Sequence, residues 1–160
     1  MKVLVGYYTR GGTTKKMAEL ISDAVRKEGV EVDCKAVTEI DVQELAGYDG
    51  IVLGSPTYYG LPAAEIKKLL DDSVALHGKL DGKVGGAFSS AANIAGGNET
   101  AIMAIVEALL IHGMIVQGDP RGSHYGPVAI GKVDERVEIE SVRFAQRLVQ
   151  LLKLVERRGG

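Results

Sequence analysis

Short apolar runs alternate along the chain with longer stretches in which apolar residues recur every three or four positions. The short runs are rich in β-branched residues and apolar throughout, as in Ile51-Val52-Leu53, which is typical of strands buried on both faces. The pattern predicts five strands, the fifth in two pieces, over residues 2–8, 31–37, 50–55, 83–89, 114–116 and 128–130.

The longer stretches have the spacing of amphipathic helices. One helix is expected from Thr14 to a stop at Gly29, and a second is expected to begin at Pro62, a residue that suits the first helical position. A third helix is expected to end near His112-Gly113, and a fourth is expected over residues 135–157. A regular alternation of buried strands and helices predicts a parallel sheet covered on both faces. The fold class is therefore α/β: a three-layer α/β/α domain over residues 1–157, with a five-stranded parallel sheet of order 2-1-3-4-5.

Composition narrows the class of protein further. Hydrophobic residues make up 46% and charged residues 25% of the 160 positions, as in ordinary globular domains. No apolar run approaches the ~18 residues that span a bilayer, and the first residues lack a signal-peptide pattern, so we expect a cytoplasmic protein. The net charge of −2 offers no basic field for a nucleic-acid partner. The single cysteine, Cys34, cannot form an internal disulfide, and we interpret it as a buried strand residue without a metal-binding role.

The loops after the first, third and fourth strands are rich in glycine, serine and threonine. They comprise residues 9–14, 55–60 and 90–97. In an open parallel sheet, ligands bind beyond the carboxyl ends of the strands where the strand order reverses, here between strands one and three. Short side chains also let a ligand approach the backbone closely. We therefore expect the three loops to form one ligand site.

The first loop, Thr9-Arg10-Gly11-Gly12-Thr13-Thr14, opens a helix, where free N–H groups and the helix dipole favour an anion. Its three threonine hydroxyls add donors, so the loop is suited to a phosphate. It is not a nucleoside-triphosphate loop, which needs lysine where Gly12 stands, and it lacks the G-x-G-x-x-G dinucleotide spacing. A receiver domain is excluded because Tyr8, Thr9 and Ser55 stand where that fold needs acidic residues. A tight turn with a threonine cap remains the alternative.

The second loop places Tyr58 and Tyr59 side by side between a proline and a glycine. A tyrosine face can stack on a planar heteroaromatic ring and gain about 0.5–1.5 kcal/mol beyond burial. The alternative is that one tyrosine packs into the core and the other is a partly exposed loop residue.

Several short stretches carry a family resemblance. Thr9-x-x-Gly12-x-Thr14 resembles the flavodoxin phosphate-loop signature. Five further stretches resemble the tryptophan-repressor-binding-protein type of NAD(P)H:quinone oxidoreductase and its short prokaryotic flavodoxin relatives: residues 54–60 (GSPTYYG), 88–90 (FSS), 96–100 (GGNET), 112–114 (HGM) and 124–126 (HYG). The likeness extends from about Lys2 to Leu152.

The resemblance implies a flavodoxin-like fold and FMN as the cofactor. The FMN phosphate would be held by Thr9, Arg10, Gly11, Gly12, Thr13 and Thr14. The isoalloxazine ring would be bordered by Pro56, Thr57, Tyr58, Tyr59 and Gly60, and its far side would be enclosed by Ser90, Ala91, Ala92, Asn93, Gly96 and Gly97. The Tyr59-Gly60 peptide would respond to protonation of flavin N5.

The resemblance also implies a catalytic candidate, His112, which matches one of a histidine pair in the quinone-reductase group. The alternative is a helix-end histidine that the helix dipole favours. His124 is a second possible donor beside the flavin, whereas we interpret His77 as a surface residue.

The resemblance leaves two redox functions open. A quinone reductase would take a hydride from NADH or NADPH and pass electrons to a quinone, whereas an electron carrier would shuttle single electrons between protein partners. A flavin-binding domain without redox function is a third hypothesis. The absence of tryptophan and the short segment 73–81 weaken the quinone-reductase assignment more than they weaken FMN binding. The relatives are often tetramers, so the resemblance also implies a homo-oligomer.

Overall fold

Seven strands form one sheet in the computed structural model, which describes residues 1–159. The strands are β1 (Lys2–Tyr7), β2 (Glu31–Ala36), β3 (Gly50–Tyr58), β4 (Leu61–Pro62), β5 (Val84–Ala91), β6 (Ile115–Val116) and β7 (Val128–Ile130). The order β2-β1-β3-β5-β6 is parallel throughout. Strand β6 pairs with the start of β5 and β7 with its end, so the two together occupy the fifth position. The predicted order 2-1-3-4-5 and the α/β class are confirmed.

Helices cover both faces of this sheet. They are α1 (Thr13–Lys27), α2 (Ala64–Asp72), α3 (Asn98–Ile111) and α4 (Glu135–Gly159), with short 3-10 turns at Val37–Glu39, Val42–Gly47 and Ser73–Leu76. Val3 and Val5 of β1 face the core that α1 and α4 close, and Leu4 between them faces the core beneath α2 and α3. The two-residue period of the strand thus supplies both cores from one apolar run. None of the described helices is long and apolar enough to cross a membrane.

Phe88 of β5 is fully buried, and it lies against a glycine of the neighbouring strand. A Cβ atom on Gly54 would lie only 2.0 Å from Cζ of the Phe88 ring. The space that a side chain at residue 54 would fill is therefore taken by this ring. Cys34 lies partly buried in β2 as expected, and burial raises the pKa of its thiol.

Two predicted boundaries are wrong for the same reason. Strand β3 does not end at Ser55 but continues to Tyr58, turns through Tyr59-Gly60, and pairs antiparallel with β4. Pro62 therefore lies in the short strand β4, and α2 begins later, at Ala64. Proline lacks an N–H donor and is accepted at the edge of a sheet as well as at the start of a helix. Other boundaries shift by one or two residues, as at Tyr8, which follows β1.

Candidate functional site

An open cavity with an empty volume of about 610 Å³ lies at the carboxyl ends of β1, β3 and β5. We call it the strand-end cavity. Its wall is formed by Thr9, Arg10, Gly11, Thr13, Thr14, Pro56, Thr57, Tyr58, Ser90, Ala91, Ala92 and Gly131. The structure therefore brings residues from all three predicted loops together around one space.

The phosphate loop, residues 9–14, leaves the first turn of α1 open. Gly12 is the N-cap, with a left-handed φ of 92°, and its N–H donates to Thr9 Oγ1 at 2.9 Å. The first backbone hydrogen bond of the helix runs from the Lys16 N–H to the Gly12 carbonyl at 3.0 Å. The backbone N–H groups before Lys16 therefore make no hydrogen bond within the helix. No side chain of the described residues caps this helix. The exposed Arg10 adds a positive charge, and the loop is built to receive an anion.

The three threonine hydroxyls of this loop have different partners. Thr13 Oγ1 donates to the Gly131 carbonyl at 3.1 Å, so it ties the loop to the turn after β7 instead of remaining free for a ligand. Thr14 Oγ1 lies 2.9 Å from Ser90 Oγ, and both residues are buried. Thr9 Oγ1 accepts from Gly12, which leaves the Thr9 proton available. Two of the three hydroxyls can therefore donate into the cavity.

The second loop is a two-residue hairpin turn, Tyr59-Gly60, between β3 and β4. Both residues have a left-handed φ, 51° and 79°, as in a type I′ turn. Tyr58 is partly exposed and lines the strand-end cavity, whereas the side chain of Tyr59 is fully exposed and does not line it. The structure thus offers Tyr58, and not Tyr59, as the ring that can stack on a planar ligand.

The third loop packs against this hairpin turn. Gly97, the N-cap of α3, has a φ of 86°, and a Cβ there would lie 2.6 Å from Gly60 Cα. Thr100 Oγ1 lies 2.6 Å from the Gly60 carbonyl and 2.9 Å from the Gly97 carbonyl. A Cβ at Gly96 would lie 2.8 Å from the Asn93 carbonyl oxygen. These contacts link the hairpin turn to the third loop, and none of Gly60, Asn93, Gly96 and Gly97 lines the strand-end cavity itself.

A second set of hydroxyl groups fixes the ends of β3 and β5. Thr57 Oγ1 lies 2.8 Å from Ser89 Oγ, which lies 2.9 Å from the Ser55 carbonyl oxygen. Ser55 Oγ accepts from the Ala63 N–H at 2.8 Å. These bonds tie the segment that leads into α2 to the strand ends, so the wall of the cavity is held from beneath.

His112, the predicted catalytic residue, lies far from this cavity. His112 follows α3, whose 14 residues span about 21 Å from the third loop to the opposite edge of the sheet. Its Nε2 atom lies 2.8 Å from Ser73 Oγ, and its Nδ1 atom has no partner among the described residues. Burial, and then the nearby His77, lower the pKa of His112. We do not propose a role for His112 toward a flavin bound in the same chain.

His124 and Tyr125 lie in residues 119–127, a loop between β6 and β7 that we call the insertion because it separates the two pieces of the fifth strand. This loop borders a second, larger cavity. This side cavity has an empty volume of about 1250 Å³ and lies between the third loop, the start of α3 and the insertion. His124 Nδ1 lies 2.7 Å from the Asp119 carbonyl oxygen, so the ring is held by its own loop. Arg143 forms an ion pair with Asp119, and Ser123 Oγ donates to Glu140 at 2.6 Å, which ties the insertion to α4.

Sequence reasoning missed two residues of the site. Gly131 lines the strand-end cavity, accepts from Thr13 and donates its N–H to the Ala91 carbonyl at 2.7 Å. Thr100 holds the hairpin turn. The position of Gly131, directly after the fifth strand at the same edge of the sheet, was a signal that could have identified it.

Comparisons with known proteins identify the family and the fold. The Flavodoxin domain family matches residues 4–93. A flavodoxin of Aquifex aeolicus is 43% identical over 158 residues, which cover 93% of this chain and 85% of that protein. An NAD(P)H dehydrogenase (quinone) of Sinorhizobium fredii is 33% identical, covering 89% of this chain and 92% of that one. The structure of an archaeal flavodoxin superposes with a TM-score of 0.81 at 28% identity, covering 96% of this chain and 99% of that chain.

The residues present fit FMN. The uncapped start of α1, with Gly11 and Gly12 open enough that a Cβ on either would meet nothing within 4 Å, suits the terminal phosphate. The wall formed by Tyr58, and the glycine-rich turns beyond it, suit the edge of a flat ring. FMN supplies the redox chemistry, while the protein positions it and sets its surroundings. The chain belongs to the flavodoxin domain family, and it is an FMN-binding redox flavoprotein.

Proposed function

We propose that the protein is an electron carrier of the flavodoxin kind, which passes single electrons between protein partners. The observation that carries this proposal is that the loops around the side of the site that would hold the flavin ring expose apolar side chains to solvent. Tyr59 is fully exposed at the hairpin turn, Ile94 in the third loop is 83% exposed, and Tyr125 in the insertion is half exposed. A partner protein could bury these side chains while it approaches the edge of the cofactor.

The roles of the chain's own residues follow from their positions. The start of α1 binds the phosphate, Tyr58 contacts the ring, and the Gly60–Gly97 contact fixes the outer edge. None of these groups is a general acid or base at the ring, which suits a carrier better than a reductase that must protonate a substrate. The residues of the two hydrophobic cores come from elements along the chain from β1 to α4, which supports our proposal of one domain over residues 1–157.

A second candidate is two-electron transfer from NADH or NADPH to a quinone. Two observations favour it. Several relatives described as NAD(P)H dehydrogenase (quinone) are 32–37% identical to this chain. The side cavity, lined by His124, Tyr125 and Arg136 among others, offers space for a second substrate beyond the third loop.

Two anaerobic titrations of the FMN-loaded protein distinguish the candidates. For a carrier, dithionite reduces the flavin in two separable one-electron stages, and added NADH or NADPH leaves the visible flavin band unchanged. For a quinone reductase, either nicotinamide bleaches that band directly and a quinone restores it. Bleaching within seconds by NADH or NADPH would overturn the carrier proposal in favour of the second candidate.

A further inference from the structure

A pair of buried hydroxyl groups joins α1 to β5 beneath the phosphate loop. Thr14 Oγ1 and Ser90 Oγ lie 2.9 Å apart, although the two residues are 76 positions apart in the chain. Thr14 is 1% exposed and Ser90 is 8% exposed, and both line the strand-end cavity. Their contact with solvent is therefore almost entirely through the space that receives the cofactor.

This pair has one proton more than its own hydrogen bond uses. Each hydroxyl carries one O–H, and a single bond between them consumes only one of the two. Neither side chain has another hydrogen-bond partner among the described residues. A buried donor without an acceptor is costly, so the remaining O–H needs an acceptor that enters the cavity.

The position of Thr14 indicates which hydroxyl provides that donor. Thr14 lies in the first turn of α1, where the free N–H groups of a helix point toward the position that a bound anion would take. Ser90 lies near the end of β5, on the other side of the pair. A hydroxyl that accepts one hydrogen bond becomes a better donor for the next, and the gain is greatest when the chain of bonds ends on a charged acceptor.

We propose that Ser90 is a positioning residue for the cofactor phosphate. Its hydroxyl donates to Thr14 Oγ1, and this bond turns the Thr14 O–H toward the phosphate. Ser90 therefore acts on the phosphate through Thr14 and not on the far side of the ring, which is the place that the family resemblance implied. The proposal rests on FMN binding and does not depend on whether the protein is a carrier or a reductase.

The test compares FMN with riboflavin, which has the same ring system but no phosphate. Dissociation constants of both flavins are measured by fluorescence for the wild type, Ser90→Ala, Thr14→Ala and the double variant. Ser22→Ala is the matched control, because Ser22 is also buried on α1 but donates to the Ala18 carbonyl at 2.7 Å, away from the cavity. Ser90→Thr retains a hydroxyl and tests for rescue. Circular dichroism and the melting temperature confirm that each variant folds.

The expected result is specific to the phosphate. Ser90→Ala should weaken FMN binding by about fivefold to tenfold, the loss of one hydrogen bond to an anion-binding group, and leave riboflavin binding unchanged. The double variant should bind FMN no more weakly than Thr14→Ala alone, because the two hydroxyls act as one unit. Ser22→Ala should bind both flavins as the wild type does. The proposal is overturned if Ser90→Ala weakens FMN and riboflavin equally, if it weakens neither, or if the two substitutions are additive.

Discussion

Gly60 and Gly97 are in backbone contact, because a Cβ atom at residue 97 would lie 2.6 Å from the Cα of Gly60. The two glycines belong to different loops, the hairpin turn after β3 and the N-cap of α3. Thr100 adds a hydroxyl within hydrogen-bond distance of the Gly60 carbonyl. The hairpin turn and the N-cap of α3 are therefore a single packed unit, which we propose as the outer edge of the FMN site, and its shape depends on the absence of a side chain at residue 97.

Gly97→Ala should weaken the binding of FMN and riboflavin alike by about tenfold, which corresponds to about 1.4 kcal/mol. The added methyl group displaces the hairpin turn, so the ring loses its outer boundary, whereas the phosphate loop is untouched. Dissociation constants from flavin fluorescence measure the effect. Gly29→Ala is the control, because Gly29 has a similar φ of 82° but open space around its Cβ position. Both variants should lose about 1–2 kcal/mol of stability from left-handed strain. Unaltered flavin binding in Gly97→Ala would contradict the role of this contact.

Tyr59→Asn should raise the free energy of unfolding by about 0.5–1 kcal/mol, because asparagine tolerates a left-handed φ better than tyrosine, and Asn-Gly is the preferred type I′ turn. Tyr59 has a φ of 51°, and its side chain is fully exposed, so the substitution removes little packing. Urea unfolding measures the change, with Tyr59→Phe as the control that keeps the strain. FMN affinity should stay the same while electron transfer to a protein partner slows. An asparagine variant that is no more stable than the wild type would argue against strain at this residue.

Gly54→Ala should destabilise the protein by about 3 kcal/mol or prevent folding, because its Cβ would overlap the buried Phe88 ring. Replacing that ring in the double variant Gly54→Ala/Phe88→Leu should recover part of the loss. Thermal unfolding of the single and double variants tests both statements. Gly47→Ala, at a position with nothing within 4 Å of the Cβ, should stay near wild-type stability. A Gly54→Ala protein as stable as the wild type would contradict the close packing of the Phe88 ring against residue 54.

The pKa of His112 is lowered from the ordinary histidine value of about 6.5. We therefore expect the free energy of unfolding to decrease as the pH falls below about 6.5. Burial disfavours the protonated ring in the folded state, so the unfolded chain binds the proton more tightly and stability is lost as the pH falls toward the lowered pKa. Urea unfolding at a series of pH values should show this loss in the wild type and less of it in His112→Gln. The exposed His124 supplies the control variant His124→Gln. Equal pH slopes in the wild type and His112→Gln would contradict the prediction.

Local sequence patterns were enough to predict the sheet and the edge at which the strand-end cavity lies. The boundaries of β7 and the end of α3 were predicted at the correct residues, because apolar β-branched runs and a terminal His-Gly pair are local signals. The strand order placed the three loops at one edge, and the cavity there confirms that they meet.

The rest depends on contacts that a linear pattern does not contain. Pro62 is equally acceptable at a helix start and at a sheet edge, and only its pairing with Thr57 decides between them. The bond from Thr13 to the Gly131 carbonyl joins residues 118 positions apart, and the Thr14–Ser90 pair depends on how α1 and β5 are packed together. His112 was placed by motif alone, whereas the length of α3 carries it to the opposite edge of the sheet.

The most direct test of the phosphate site is the visible absorption spectrum of the wild type and Gly12→Val after incubation with excess FMN and removal of free flavin by desalting. The wild type is expected to retain an equimolar amount of FMN. Gly12→Val, with a β-branched residue at a φ of 92°, is expected to retain little. A colourless wild-type protein, or equal retention by the two proteins, would contradict a phosphate site at the start of α1.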